Sequence, residues 1–206
     1  MAIAIVDYGM GNLHSVQKGF ERMGFQAEIT RDVARIEAAP GVVLPGVGAF
    51  GACRRNLQEY GLEEPVRRVI DKGTPFLGIC VGMQLLFEES EEFGPEPGLG
   101  ILPGKVVRFR EQPDMKIPHM GWNQITRQQE VPHLAGIDEN AFVYFVHSYY
   151  VVPSDPTLTA TSTTYGTTFT SSVLRDNIFA TQFHPEKSQA VGLTLLANFG
   201  ALALGR

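Results

Sequence analysis

The chain has 206 residues, 44% hydrophobic and 19% charged, which suits one packed domain over residues 1–206 and excludes a disordered chain. A net charge of −5 sets nucleic acid aside as principal partner. Its two cysteines cannot build a disulfide framework, and no Cys-x-x-Cys or His-x-x-x-His spacing offers a metal site, so neither metal nor cofactor is expected.

The opening Met1-Ala-Ile-Ala-Ile-Val-Asp7 lacks the basic start and apolar length of a signal peptide, and no apolar run is long enough for a bilayer. A cytoplasmic protein without membrane contact is expected. Ala2–Val6 reads as a buried strand, Asn12–Met23 as a helix stopped near Gly24, Ala27–Thr30 as a strand and Val42–Leu44 as a third. Helical patterns follow through Asn56 and over Val66–Asp71, and Phe76–Ile79 is a fourth strand leading into another helix. Such alternation predicts an α/β fold, an open and mostly parallel, flavodoxin-like sheet with helices on both faces. Residues 94–100 read as a loop. Strand signals then dominate over Lys105–Phe109, Phe142–Val152, Leu158–Thr164, Thr170–Leu174 and Ile178–Phe183, before an apolar helix at Ala190–Leu204. The second half therefore adds an antiparallel extension.

Three segments carry chemistry. Gly78-Ile-Cys80-Val-Gly82 joins a strand to a helix, the setting of a nucleophile elbow with cysteine in place of serine. Cys80 alone is equally well read as a small buried residue. His184-Pro-Glu186 ends the last strand; on an extended chain two residues apart share a side, so Glu186 can orient His184. Pro185 is expected to keep the backbone between them extended. Nucleophile, base and orienting acid in one chain make coincidence a poor explanation. Pro45-Gly-Val47-Gly48 is a turn whose exposed N–H groups suit an oxyanion, although a plain strand-to-helix turn would look the same.

Two glycine motifs are decoys. Gly9-Met-Gly11 lacks a third glycine because His14 stands there, and Gly98–Lys105 is one residue too long for a phosphate loop. His119 and His133 read as loop residues and His147 as a partly buried strand residue. Cys53 reads as structural.

Taken together, Pro-Gly-Val-Gly at 45–48, Gly-Ile-Cys-Val-Gly-Met-Gln at 78–84 and His-Pro-Glu at 184–186 resemble the class I glutamine amidotransferases, in the same order and over nearly the whole chain. Asp7-Tyr-Gly-Met-Gly-Asn-Leu, Pro118-His-Met-Gly-Trp-Asn123 and His-Pro-Glu-Lys-Ser resemble the branch whose ammonia feeds a cyclase in histidine biosynthesis. The resemblance implies that Cys80, His184 and Glu186 hydrolyse glutamine. It implies that Val47, Gly48 and Val81 donate to the oxyanion, and that Gln84, Ser148 and Tyr149 hold the substrate. It further implies a (β/α)8-barrel cyclase subunit as partner in a heterodimer, met by Asn12, Met120, Trp122, Asn123 and Lys187. The competing expectation is a γ-glutamyl hydrolase or peptidase of related fold that works alone.

Overall fold

The computed structural model describes residues 1–113 and 115–205. Eight strands form the main sheet in the order β2-β1-β3-β4-β14-β13-β12-β9. They are β1 (Ile3–Val6), β2 (Ala27–Thr30), β3 (Val42–Gly46), β4 (Phe76–Cys80), β9 (Thr126–Arg127), β12 (Thr159–Tyr165), β13 (Thr167–Arg175) and β14 (Ile178–Thr181). The first five in that order are parallel and the last three antiparallel. A second sheet joins β11 (Tyr149–Pro153), β7 (Leu102–Arg108), β5 (Phe87–Ser90) and β6 (Glu96–Pro97), and β8 (His119–Gln124) pairs with β10 (Phe142–His147).

The helices are α1 (Leu13–Arg22), α2 (Val33–Ala38), α3 (Phe50–Glu59), α4 (Glu63–Asp71), α5 (Val81–Gln84) and α6 (Gln189–Ala203). Helices α1 and α6 pack together, as do α2 and α4. Strands β1, β3, β4 and β14 are buried along their whole length, as central parallel strands covered on both faces must be. This is the α/β architecture expected, with the strand order reversing between β1 and β3. Open sheets place ligand sites at such a point, outside the carboxyl ends of the strands.

Register does the positioning. Gly46 pairs with Cys80, and Thr181 pairs with Ile79. Three strand ends therefore stop at one level, bringing the 45–48 turn, Cys80 and the 182–186 segment side by side.

Several local expectations need correction. The helix after Cys80 is a single turn, because the chain re-enters a strand at Phe87 and buries Leu85, Leu86 and Phe87. Pro185 opens a 3₁₀ turn over Pro185–Lys187, where its fixed φ and missing N–H suit the first position. Residues 142–152 are two strands in different sheets, broken at Ser148, whose carbonyl accepts from Phe109 N at 3.0 Å. The 94–100 loop contains β6. His119 lies in strand β8 and is buried, while His133 lies in a 3₁₀ turn and stacks on Phe179 at 4.3 Å. Helix α2 was not among the expected elements; Asp32 caps it by accepting from Ala34 N and Arg35 N.

Candidate active site

Cys80 adopts φ 55° and ψ −111°, a conformation that L-residues avoid and that recurs at catalytic turns. Its neighbours must be small for the turn to close. A Cβ on Gly46 would stand 2.8 Å from both Gly82 N and the Tyr8 hydroxyl oxygen, and one on Gly82 would stand 1.8 Å from Leu44 O. Elbow and neighbouring strand are thus in backbone contact.

Opposite Cys80, His184 Nδ1 lies 2.8 Å from Glu186 Oε1, both side chains 1% exposed. Among the described residues His184 Nε2 has no hydrogen-bond partner. Burial acts to lower the basicity of His184, but the nearby Cys80 sulfur and then the Glu186 carboxylate overcome it and raise the pKa to about 10. Because the folded value exceeds the ordinary one of about 6.5, protonated His184 stabilises the fold in full below about pH 6.5. That contribution is lost as pH rises through about 10. A Cys80→Ala chain lacks the largest raising influence, so its His184 is expected to titrate at lower pH, read by ¹⁵N NMR of the imidazole.

A cavity of about 560 Å³ opens over these groups, lined by Asn12, Val47, Gly48, Cys80, Val81, Gln84, Ser148, Tyr149, His184 and Lys187 among others. Of the residues singled out in the sequence, Glu186 stands behind His184. Met120 and Trp122 lie on β8 outside the cavity lining, 62% and 45% exposed. Asn123, also on β8, donates to Thr164 O at 3.0 Å. Lys187 Nζ lies 5.8 Å from the Tyr144 ring.

The turn at 45–48 is held from beneath. Tyr8 OH donates to Pro45 O at 2.6 Å and Cys53 Sγ to Val47 O at 3.4 Å. In a trans peptide N–H and C=O point opposite ways, so the Gly48 N–H is directed away from Cys53. Gly48 takes φ 92°, a region open to glycine without strain. Burial pushes the Cys53 thiol up to about 11, so it remains a donor.

Gln84 spends both amide hydrogens inside the chain, on Tyr149 O at 3.1 Å and Gln182 Oε1 at 3.0 Å. Gln182 was missed in the sequence. It is fully buried, and its Nε2 reaches Cys80 Sγ at 3.5 Å. The available signal was a pair of polar residues, Thr181-Gln182, inside an otherwise apolar segment. Tyr8 and Glu92 were missed too; the Glu92 carboxylate accepts from Phe50 N at 2.6 Å at the cavity wall. No cluster that could hold a metal occurs among the described residues.

An elbow thiol, a carboxylate-oriented imidazole and a glycine turn on one parallel sheet are the parts of a cysteine amidohydrolase. The family model for class I glutamine amidotransferases matches residues 4–201, and the chain belongs to that family. Among solved structures, a glutamine amidotransferase shares the fold at TM-score 0.75 and 20% identity, covering 98% of this chain and 99% of its own. The glutaminase domain of a Trypanosoma brucei CTPS with bound acivicin does so at 0.71 and 16%, covering 100% and 94%. Among curated proteins, the imidazole glycerol phosphate synthase subunit HisH of Syntrophotalea carbinolica is 57% identical, over 96% of this chain and 98% of its own length. HisH of Geobacter sulfurreducens is 55% identical over 97% and 98%. Within the class, the chain is a glutamine amidotransferase of the HisH type.

Proposed function

We propose that residues 1–206 form one catalytic domain that hydrolyses glutamine to glutamate and ammonia through Cys80, His184 and Glu186. The ammonia passes to the cyclase subunit of an imidazole glycerol phosphate synthase in histidine biosynthesis. The observation that carries this reading is the strained Cys80 facing a histidine locked 2.8 Å from a buried carboxylate. Glu186 holds the imidazole, whose Nε2 exchanges its proton with the Cys80 sulfur. The thiolate adds to the side-chain amide carbon of glutamine, and the new oxyanion takes hydrogen bonds from Val81 N–H and the Val47–Gly48 turn. His184 gives its proton to the leaving nitrogen, releasing ammonia and a glutamyl thioester. Water, deprotonated by His184, then cleaves the thioester to glutamate and restores the thiol.

Gln84, with both amide hydrogens used internally, keeps its Oε1 as an acceptor for substrate beside Ser148 and Tyr149. The partner is a (β/α)8-barrel cyclase, docked as a heterodimer over the cavity mouth, so that ammonia is not lost to water. Exposed Met120 and Trp122 give that face its apolar contacts, with Asn12, Asn123 and Lys187 around it. A cytoplasmic location fits this role, and no helix among the described residues is long and apolar enough to cross a membrane. Glu186→Gln tests the catalytic assignment. It keeps the shape but withdraws the charge that steadies imidazolium, so kcat is expected to fall about 10²- to 10⁴-fold in a glutamate-release assay. Wild-type kcat in that variant would remove Glu186 from the triad.

A further inference from the structure

His119 and His147 take no part in the chemistry above, yet both are buried and they touch: His119 Nδ1 lies 3.0 Å from His147 Nε2. Each remaining ring nitrogen also has a partner. His147 Nδ1 lies 2.8 Å from Tyr149 O, and His119 Nε2 lies 3.2 Å from Asn123 Nδ2. Burial lowers both basicities, to about 4 for His119 and about 3 for His147, so each ring carries one proton at neutral pH.

One atom that cannot donate then fixes the whole chain. The Tyr149 carbonyl only accepts, so the His147 proton sits on Nδ1. His147 Nε2 must accept from His119 Nδ1–H, and His119 Nε2 must accept from the Asn123 amide. At the other end, the same carbonyl accepts from Gln84, which donates to Gln182, which donates to Cys80 Sγ. The hydrogen bonds run without a break from strand β8 to the nucleophile.

We propose that His119 and His147 are positioning residues, a tautomer-locked relay that holds the Ser148–Tyr149 segment in place against Gln84, Gln182 and Cys80. The proposal rests on the reading of this cavity as a glutaminase site. A packing role alone makes a different forecast, because His119 is stacked on Tyr165 at 4.0 Å and on Phe145 at 4.7 Å. A phenyl ring would fill that slot and keep the stack. It would also strip both nitrogens and leave the buried His147 Nε2 without that donor.

His119→Phe and His119→Asn therefore separate the two. Asparagine loses the stack but keeps an amide donor where Nδ1 stood. Glutamine turnover is measured for each chain with its cyclase subunit and that subunit's ligand. His119→Phe is expected to raise the KM for glutamine about tenfold, the scale of one lost ordering hydrogen bond, with kcat changed less than about threefold. His119→Asn is expected to restore KM to within about threefold of wild type. An unchanged KM in His119→Phe, or an equal loss in both variants, overturns the relay. Long-range ¹H–¹⁵N NMR of the wild-type chain gives a reading that needs no turnover. Nδ1–H on both rings at pH 7 is required, and Nε2–H on His147 overturns it. If the wild type turns over no glutamine, the glutaminase reading fails and the NMR result alone decides the relay.

Discussion

Replacing Cys80 by alanine is expected to lower glutamate release on the order of 10⁴-fold or more while the chain still folds and still binds its partner. The size follows from the mechanism, since no other group near the cavity can form the thioester. The other cysteine, Cys53, is buried beneath the 45–48 turn with its thiol bonded to Val47 O, and it does not line the cavity. The fold should survive because alanine fits the volume and gives up the sulfur's contacts with Gln182 and His184 but no core packing. The strain at φ 55° is unchanged by the substitution. A circular-dichroism spectrum and melting temperature close to wild type, with partner binding intact, would show that chemistry alone was lost. Substantial turnover in the variant would remove Cys80 from the mechanism.

Gly82→Ala is expected to act on the fold itself. A Cβ there would stand 1.8 Å from Leu44 O and 2.9 Å from Leu44 C, both backbone atoms of a central strand. No side chain can turn aside to make room, so α5 would have to separate from β3 and open the elbow. Such overpacking should cost about 3 kcal/mol or more, lowering the melting temperature by roughly 10 °C in a chain of this size. Gly24→Ala is the contrast. Apart from its chain neighbours, no described residue comes within 4 Å of a Cβ placed there, and its φ of 81° is what resists the change, at about 1 kcal/mol. Equal melting temperatures for the two variants would contradict the close approach.

The parallel half of the fold was legible because its strands are short apolar runs divided by glycine, and helices follow them at regular intervals. The elbow and His-Pro-Glu were legible for a related reason: a sharp turn and an adjacent acid–base pair are local features. What escaped depended on partners distant in sequence. Strand β8 exists because His119–Gln124 pairs with Phe142–His147, and His119 reads as a loop residue without that partner. The one-turn length of α5 is set by β5, which returns to pair with β6 and β7. Pro185 was expected to hold an extended link and instead opens a 3₁₀ turn, since its fixed φ suits both. Gln182, Tyr8 and the His119–His147 pair each meet their partners across 28 residues or more, or through a backbone carbonyl. Residue type alone does not announce such contacts.

The measurement that bears most directly on the central claim is glutamate release from glutamine by the purified chain in three mixtures. They are the chain alone, the chain with an imidazole glycerol phosphate cyclase subunit, and the chain with that subunit and its ligand. Turnover concentrated in the third mixture is the predicted result and would establish a partner-gated ammonia donor. Full turnover by the chain alone, unaltered by the cyclase subunit, would contradict it and point to an independent γ-glutamyl hydrolase.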